Sequence, residues 1–221
     1  MSNISKTEHL ASSANPLDAL LAAYSVGALD RATHALVASH LLLNPQNRQF
    51  VAALEDLAAG EVARVEPKPL GSRDARLAAV FASASPIVAS APSSVLPAPL
   101  LRLVGSDIND LKWRKKIPGV REYRINESAR GEASLLWILG GSRVPSHTHE
   151  GSEITLVLQG AFNDITGRYG RGDIAIADAE LDHRPMTDEG QDCLCFAVTD
   201  APLRLTGPVG RILDRFFGRT H

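Results

Sequence analysis

The fold is decided by residues 141–160, which read GSRVPSHTHEGSEITLVLQG. His147 and His149 are two positions apart, so on a β-strand their side chains project from one face. Glu153 follows four positions later, after a short turn, and His183 follows an alternating strand further along the chain. Imidazole and carboxylate groups that can converge in this way are typical metal ligands. The sequence therefore predicts one metal site formed by His147, His149, Glu153 and His183.

Two glycine-bounded patterns around these ligands resemble the motifs of the cupin superfamily, G-x5-H-x-H-x3-4-E-x6-G and G-x5-P-x-G-x2-H. Residues 141–160 match the first motif at every fixed position, and residues 172–183 have the length of the second. Asp178 and Glu180 stand where the second motif has Pro and Gly, which affects the turn rather than the ligands. The resemblance implies a small β-barrel that holds one divalent transition metal. Zinc is the metal we expect first, and Fe, Mn, Ni and Cu are compatible with the same donors.

The composition bounds the class of protein. The chain has 221 residues, 44% of them apolar, which is enough to bury a core in one large or two small domains, and we expect two. The net charge of −2 and the lack of a Lys/Arg cluster argue against direct nucleic-acid binding and against a membrane-surface patch. The first residues do not read as a secretory signal, and prolines interrupt the apolar stretch 77–101, so we expect no membrane span. These features favour a cytoplasmic protein.

The chain has two cysteines, Cys193 and Cys195, on one predicted strand. Alternate residues of a strand are poor partners for an unstrained disulfide, so both are expected to be reduced thiols. They are interpreted as small buried core residues, with redox sensing or an auxiliary metal-ligand role as the alternative. We expect them on alternate faces of the strand, with no more than one lining the metal cavity.

The first 85 residues follow helical periodicity and predict a small bundle of four short helices. The first predicted helix carries the apolar stripe Leu17, Leu20, Leu21 and Tyr24, and the second runs from a cap at Asp30 to about Leu43. The third runs from Asn44-Pro45 to Gly60, with Phe50, Leu54 and Leu57 on one face. The fourth runs from a cap at Ser72 to a position before Pro86.

The remaining chain divides by composition. Residues 86–100 are uncharged and rich in Pro, Ser and Ala, which is typical of a linker. From residue 101 the apolar period changes to two, with strands predicted at 134–139, 153–158, 173–177 and 193–198. The predicted fold class is therefore α+β, with a helical domain at 1–85, a linker at 86–100, a cupin β-barrel at 101–206 and an amphipathic tail at 207–221.

A helical bundle followed by a single cupin resembles the ChrR-type anti-sigma factors over nearly the whole chain. The segments that carry the resemblance are 18–24, 27–29, 39–41, 113–119, 155–158, Gly160 with Asp164, Gly167 with Tyr169, 172–173 and 192–195. The resemblance implies that the helices bind an extracytoplasmic-function (ECF) sigma factor. It also implies that the cupin senses an oxidant or small-molecule signal.

The chain departs from this family at one site. In these factors an upstream His and the motif H-x3-C-x2-C hold zinc in the helical domain, but here His40 is followed by Asn44 and Asn47. Neutral amides are weak zinc ligands, so we interpret this site as lost and His40 as a partly buried polar residue.

Three classes of function remain open at this point. The favoured one is a regulatory protein of the anti-sigma type, without assigned catalytic residues. The alternatives are a metal-dependent cupin enzyme, a dioxygenase or hydrolase with a helical accessory domain, and a small-molecule binding module without turnover. The absence of an evident acid/base constellation beyond the ligand set argues against the enzyme. A homodimer is compatible with each of the three.

Overall fold

The computed structural model describes residues 15–83, 95–125, 131–201 and 203–206. Its helices are α1 (Pro16–Ser25), α2 (Arg31–Leu43), α3 (Pro45–Val62), α4 (Arg73–Ala82) and α5 (Ala98–Val104), followed by a 3-10 helix (Ile108–Asp110). Its strands are β1 (Arg114–Ile117), β2 (Val120–Ile125), β3 (Glu132–Ile138), β4 (His147–His149), β5 (Glu153–Gln159), β6 (Ala161–Asn163), β7 (Arg168–Gly170), β8 (Ile174–Ala177), β9 (Met186–Thr187), β10 (Cys193–Thr199) and β11 (Leu203–Leu205). The α+β fold class is confirmed. The tail predicted at 207–221 and most of the predicted linker lie outside the described residues.

Local chemistry explains where the first helices begin. The Asp30 carboxylate accepts hydrogen bonds from the backbone N–H groups of Ala32 (2.9 Å) and Thr33 (3.1 Å), as predicted for the cap of α2. Asn44 ends α2 and caps α3, where its side chain accepts from the N–H of Asn47 at 3.4 Å, and Pro45 occupies the first helical turn.

The third and fourth helices differ from the prediction. Gly60 does not end α3, because the helix continues to Val62. Ser72 makes no capping hydrogen bond and has a φ of 58°, so it precedes α4 without capping it. No residue of α4 is buried, and Val51 is the buried residue of α3, so the predicted face formed by Phe50, Leu54 and Leu57 is not its core face. The packed helices are therefore α1, α2, α3 and α5 rather than α1 to α4.

The strands form three antiparallel sheets in the described part of the chain. The largest has the order β1-β2-β3-β10-β5-β8, a second pairs β11 with β4, and a third has the order β7-β6-β9. The four strands predicted from the sequence are present as β3, β5, β8 and β10. These strands lie side by side at the centre and one end of the large sheet.

The large sheet is buried on both faces, because its side chains alternate between two apolar clusters. One face packs on the helices, and the other faces the cupin interior. Residues of the helix-facing cluster include Leu135, Leu156, Leu158, Ile174, Leu194 and Phe196 from the sheet and Leu21, Leu36, Leu41 and Leu100 from the helices. Residues of the interior cluster include Val120, Ile138, Val157, Phe162, Cys193 and Cys195.

Helix α5 joins the two parts of the chain. It packs against α2, and its Leu100 is fully buried in the cluster shared with the sheet. The predicted boundary between residues 100 and 101 falls inside this helix. In the described part of the chain, no helix combines the length and the apolar character needed to cross a membrane.

Candidate metal centre

The four predicted ligands converge in the cupin. Strand β4 carries His147 and His149, and β5 begins at Glu153. His183 lies beyond β8 and is held beside His147 by two backbone hydrogen bonds, each of 3.1 Å. One ligand atom from each of the four side chains lies within 4.8 Å of the others, and the three imidazoles are buried. The site could therefore hold a metal ion.

The hydrogen bonds of two imidazoles fix their tautomers. His147 Nδ1 lies 2.8 Å from the Pro145 carbonyl oxygen, and His183 Nδ1 lies 3.0 Å from Asp164 Oδ2. Because both oxygens only accept, both Nδ1 atoms carry the proton and both Nε2 atoms present lone pairs. These two Nε2 atoms face each other at 2.9 Å. Two lone pairs at this distance repel unless a proton or a metal ion lies between them.

His149 supplies a second indication. Among the described residues, neither of its ring nitrogens has a hydrogen-bond partner although both are buried. Its Nε2 lies 3.8 Å from Glu153 Oε2. Buried polar atoms normally find a partner, so an orphaned imidazole beside a carboxylate fits a metal ligand. Three imidazoles and one carboxylate are a borderline donor set that suits several divalent transition metals.

The electrostatics of the site keep His147 and His149 in the neutral form that binds metal. Burial lowers the pKa of His147 to about 4, with the neighbouring His183 and His149 rings adding to the effect. Burial also lowers the pKa of His149. Neutral imidazoles are the form that binds metal, so at neutral pH the site does not have to lose protons from these two residues.

Asp164 contacts the candidate site through His183, and the sequence marked it only as part of a family resemblance. It follows β6, and its Oδ1 accepts from the N–H groups of Thr166 (2.8 Å) and Gly167 (3.2 Å), which leaves Oδ2 for His183. Although burial opposes its ionisation, the hydrogen bonds from Thr166 and His183 lower the pKa of Asp164. The sequence Asp-Ile-Thr-Gly at 164–167 indicates a turn closed by an aspartate, but not which distant side chain the second oxygen reaches.

The two cysteines lie on one face of β10, so the prediction of alternate faces is wrong. Residues two apart on a strand share a face, and the two Sγ atoms are 3.5 Å apart. Both thiols are buried in the interior cluster, as the core interpretation predicts. A hydrogen bond with Cys193, together with burial, raises the pKa of the Cys195 thiol well above its ordinary value, so that thiol stays protonated at neutral pH.

Residues 40–47, where the chain departs from the H-x3-C-x2-C motif, form a different arrangement. His40 is fully buried, not partly buried as predicted, with Nδ1 2.6 Å from the Gly172 carbonyl oxygen and Nε2 2.8 Å from Asn47 Nδ2. In the described residues, the single group of His, Cys, Asp and Glu that could hold a metal is the one in the cupin.

Comparison with known proteins agrees with this architecture. The family described as the ChrR Cupin-like domain matches residues 102–202. The anti-sigma-E factor ChrR of Cereibacter sphaeroides is 42% identical over 205 residues, which cover 90% of this chain and 95% of that protein. The similarity therefore extends from the cupin through the helices.

A solved structure is similar over the same extent. It is the crystal structure of Rhodobacter sphaeroides SigE in complex with the anti-sigma ChrR, which matches with a TM-score of 0.70 and 42% identity. The match covers 83% of this chain and 96% of that chain.

Proposed function

This chain belongs to the family of the anti-sigma factor ChrR, and from that premise we propose that it is an anti-sigma factor. Its helices bind an ECF sigma factor, and its metal-binding cupin adjusts the release of that factor in response to an oxidant or small molecule. A chain with this function works in the cytoplasm, where the sigma factor meets RNA polymerase. Its partner is a protein, and it does not contact DNA directly.

The observation that carries this proposal is the exposed apolar surface of α4. Leu77, Val80 and Phe81 recur at helical spacing on one face, and their side chains are 43%, 65% and 80% exposed. The sequence of this helix forms an apolar face, and that face is exposed in the structure. An exposed apolar helix face is typical of a protein-binding element. Because a similar protein was solved in complex with SigE, the occupant that we propose for this surface is a sigma factor.

The exposed surface extends beyond α4. Leu57 and Val62 at the end of α3 are 73% and 71% exposed, and Val65 and Leu70 in the connection are also exposed. Single exposed apolar residues are ordinary, but a run of them through two elements is not. The run gives a partner a continuous stretch of chain to cover, which a compact sigma domain does better than a short peptide.

A titration with purified sigma factors tests the proposal. The full-length chain is titrated with each ECF sigma factor of its organism, and we expect one of them to form a tight complex. Phe81→Asp should weaken that complex about tenfold to a hundredfold, which is the effect of losing one buried large apolar side chain. Ala75→Asp is the matched control, because it places the same charge on α4 away from the apolar face. Binding of none of the sigma factors by the wild type contradicts the proposal.

For the cupin, we propose that His147, His149, Glu153 and His183 bind one zinc ion. The facing lone pairs of His147 and His183 and the unpartnered nitrogens of His149 support a bound cation. Elemental analysis of the full chain should give one zinc per molecule, and a His147→Ala/His149→Ala variant should give none. Equal metal content in the two proteins rules out this ligand set, and a different metal in the wild type rules out zinc alone.

A further inference from the structure

His40 connects three parts of the molecule. It lies in the last turn of α2, where its ring is buried between α3 and the turn that precedes β8. Its Nδ1 reaches the Gly172 carbonyl in the cupin at 2.6 Å, and its Nε2 reaches the side chain of Asn47 on α3 at 2.8 Å.

The partners of the ring fix its protonation. A carbonyl oxygen only accepts, so Nδ1 carries a proton and donates it to Gly172. Burial lowers the pKa of His40, which favours the neutral ring. In a neutral ring with the proton on Nδ1, Nε2 is an acceptor and Asn47 Nδ2 is its donor. The ring therefore links α3 to the cupin by two hydrogen bonds: it accepts one from Asn47 on α3 and donates one to the Gly172 carbonyl in the cupin.

The cupin side of this contact is shaped for close approach. Gly172 has a φ of +92°, and a Cβ atom at this position would lie 3.0 Å from the Cβ of Leu43 in the last turn of α2. A side chain here would be strained by the backbone and by the helix together.

The same turn is tied to the strand that bears a proposed metal ligand. The N–H of Gly172 donates to the Val157 carbonyl at 2.8 Å, and the N–H of Val157 donates to the Asp173 carbonyl at 3.0 Å. Strand β8 then pairs with β5, and Ala177 lies opposite Glu153. A continuous set of backbone hydrogen bonds thus runs from the contact with His40 to the candidate metal centre.

From these contacts we infer that His40 is a positioning residue that holds the corner between α2 and α3 to the cupin, so that the order of this corner depends on the state of the cupin. It does so through hydrogen bonds, in a chain that has Asn44 and Asn47 at the two cysteine positions of the H-x3-C-x2-C motif. The inference concerns the chain itself and does not require that the partner be a sigma factor. Where the proposed function holds, the corner leads directly into the exposed surface of α3 and α4.

The first test is the tautomer of His40 in the full-length protein. Long-range nitrogen–proton NMR spectra should show a neutral ring protonated on Nδ1, and Asn47→Asp should raise the pKa of His40 because both ring nitrogens would then face acceptors. A role in packing alone predicts neither result. A ring protonated on Nε2 in the wild type overturns the inference.

The second test measures hydrogen exchange of backbone amides in the full-length chain. His40→Leu keeps a similar volume but removes both hydrogen bonds, so exchange should become about tenfold faster in residues 44–50 and in residues 170–176 together. Ser39→Ala is the matched control, because Ser39 is the neighbouring buried residue and its hydroxyl has no partner among the described residues. Faster exchange in the helices alone overturns the inference.

The third test asks whether the cupin controls the corner. Adding Zn²⁺ to chelator-treated wild-type protein should slow exchange in residues 44–50 as well as around the proposed ligands. In His40→Leu the slowing should stop within the cupin. If that variant does not fold, Asn47→Ala serves instead, since it removes only the link to α3. Zinc that has no effect on residues 44–50 of the wild type overturns the coupling.

Discussion

The Nδ1 atoms of His147 and His183 each donate to an oxygen acceptor, so each Nε2 atom presents a lone pair. A proton placed between the two Nε2 atoms would charge one of two buried rings, and burial disfavours that charge on His147. A divalent cation satisfies both lone pairs at once. The hydrogen bonds around the two rings therefore leave both Nε2 atoms available to a metal ion, which supports the proposed ligand set.

Asp164 orients His183, and we predict that Asp164→Asn weakens zinc binding about tenfold to a hundredfold, as second-sphere changes at metal sites typically do. The amide no longer carries the charge that holds the proton on Nδ1. Competition with a chromophoric chelator measures the affinity. Asp182→Asn is the control, because it removes a charge one position from His183 while its carboxylate contacts Thr206 instead of the ring. Equal losses in the two variants would mean a general charge effect.

The buried imidazoles also predict how the metal-free protein responds to pH. The folded-state pKa of His147 is about 4, whereas the unfolded chain has the ordinary value near 6.5. Between these two pH values the unfolded state binds a proton at His147 that the folded state does not. The contribution of His147 to the free energy of unfolding is therefore fully present above pH 6.5 and is lost as the pH falls toward 4. The expected loss is on the order of 3 kcal/mol from this residue. Urea unfolding of chelated protein from pH 7 to 4.5 measures it, and His147→Gln should flatten the dependence.

At the scale of elements, the corner between α2 and α3 is held by hydrogen bonds of His40 and Asn44. The Asn44 N–H donates to the His40 carbonyl at 2.7 Å, while the Asn44 side chain caps α3. His40 keeps the proton on Nδ1, and its Nε2 lies toward α3. This is the tautomer and orientation of a metal-ligating histidine, with an amide in the place of a thiolate.

Introducing thiolates at positions 44 and 47 should therefore create a metal site. We predict that Asn44→Cys/Asn47→Cys binds one zinc ion more than the wild type, with His40 and the two thiolates as ligands. Elemental analysis measures the added metal. Adding His40→Leu to the double variant should remove it. If the double variant gains no metal, the orientation of His40 at this corner is not that of a ligand.

At the scale of the whole molecule, the helices and the cupin share one apolar cluster. Leu36 of α2 is fully buried in the same cluster as Leu156 and Phe196 of the large sheet. The rings of Trp113 and Trp137 meet edge to face at 5.8 Å and pack against this cluster. Neither part can be removed without exposing apolar surface of the other.

We therefore predict that the packed helices α1, α2, α3 and α5 unfold together with the cupin. Far-ultraviolet circular dichroism and tryptophan fluorescence should give coincident denaturation curves, because the tryptophans report the junction. Leu36→Ala should lower the free energy of unfolding by about 2 to 5 kcal/mol in both signals. Val62→Ala, at an exposed position of α3, should leave both unchanged. Two separate transitions would mean that the helical part and the cupin are independent units.

The sequence by itself determined the features that depend on local spacing. Two histidines two apart share a strand face, an aspartate or asparagine before a helical stripe caps it, and an alternating pattern forms a strand. For these reasons α1, α2, the central strands and the convergence of His147, His149, Glu153 and His183 could be predicted.

Only the tertiary structure decided which surfaces meet. The apolar stripe of α4 is typical of a core helix. The pattern does not indicate whether another part of this chain or a partner protein buries that stripe. The contacts of His40 with Gly172 and of Asp164 with His183 join residues 132 and 19 positions apart in the sequence. Periodicity reports which face of an element is apolar, but the partner of a polar atom depends on how the elements pack, and that is a property of the folded chain alone.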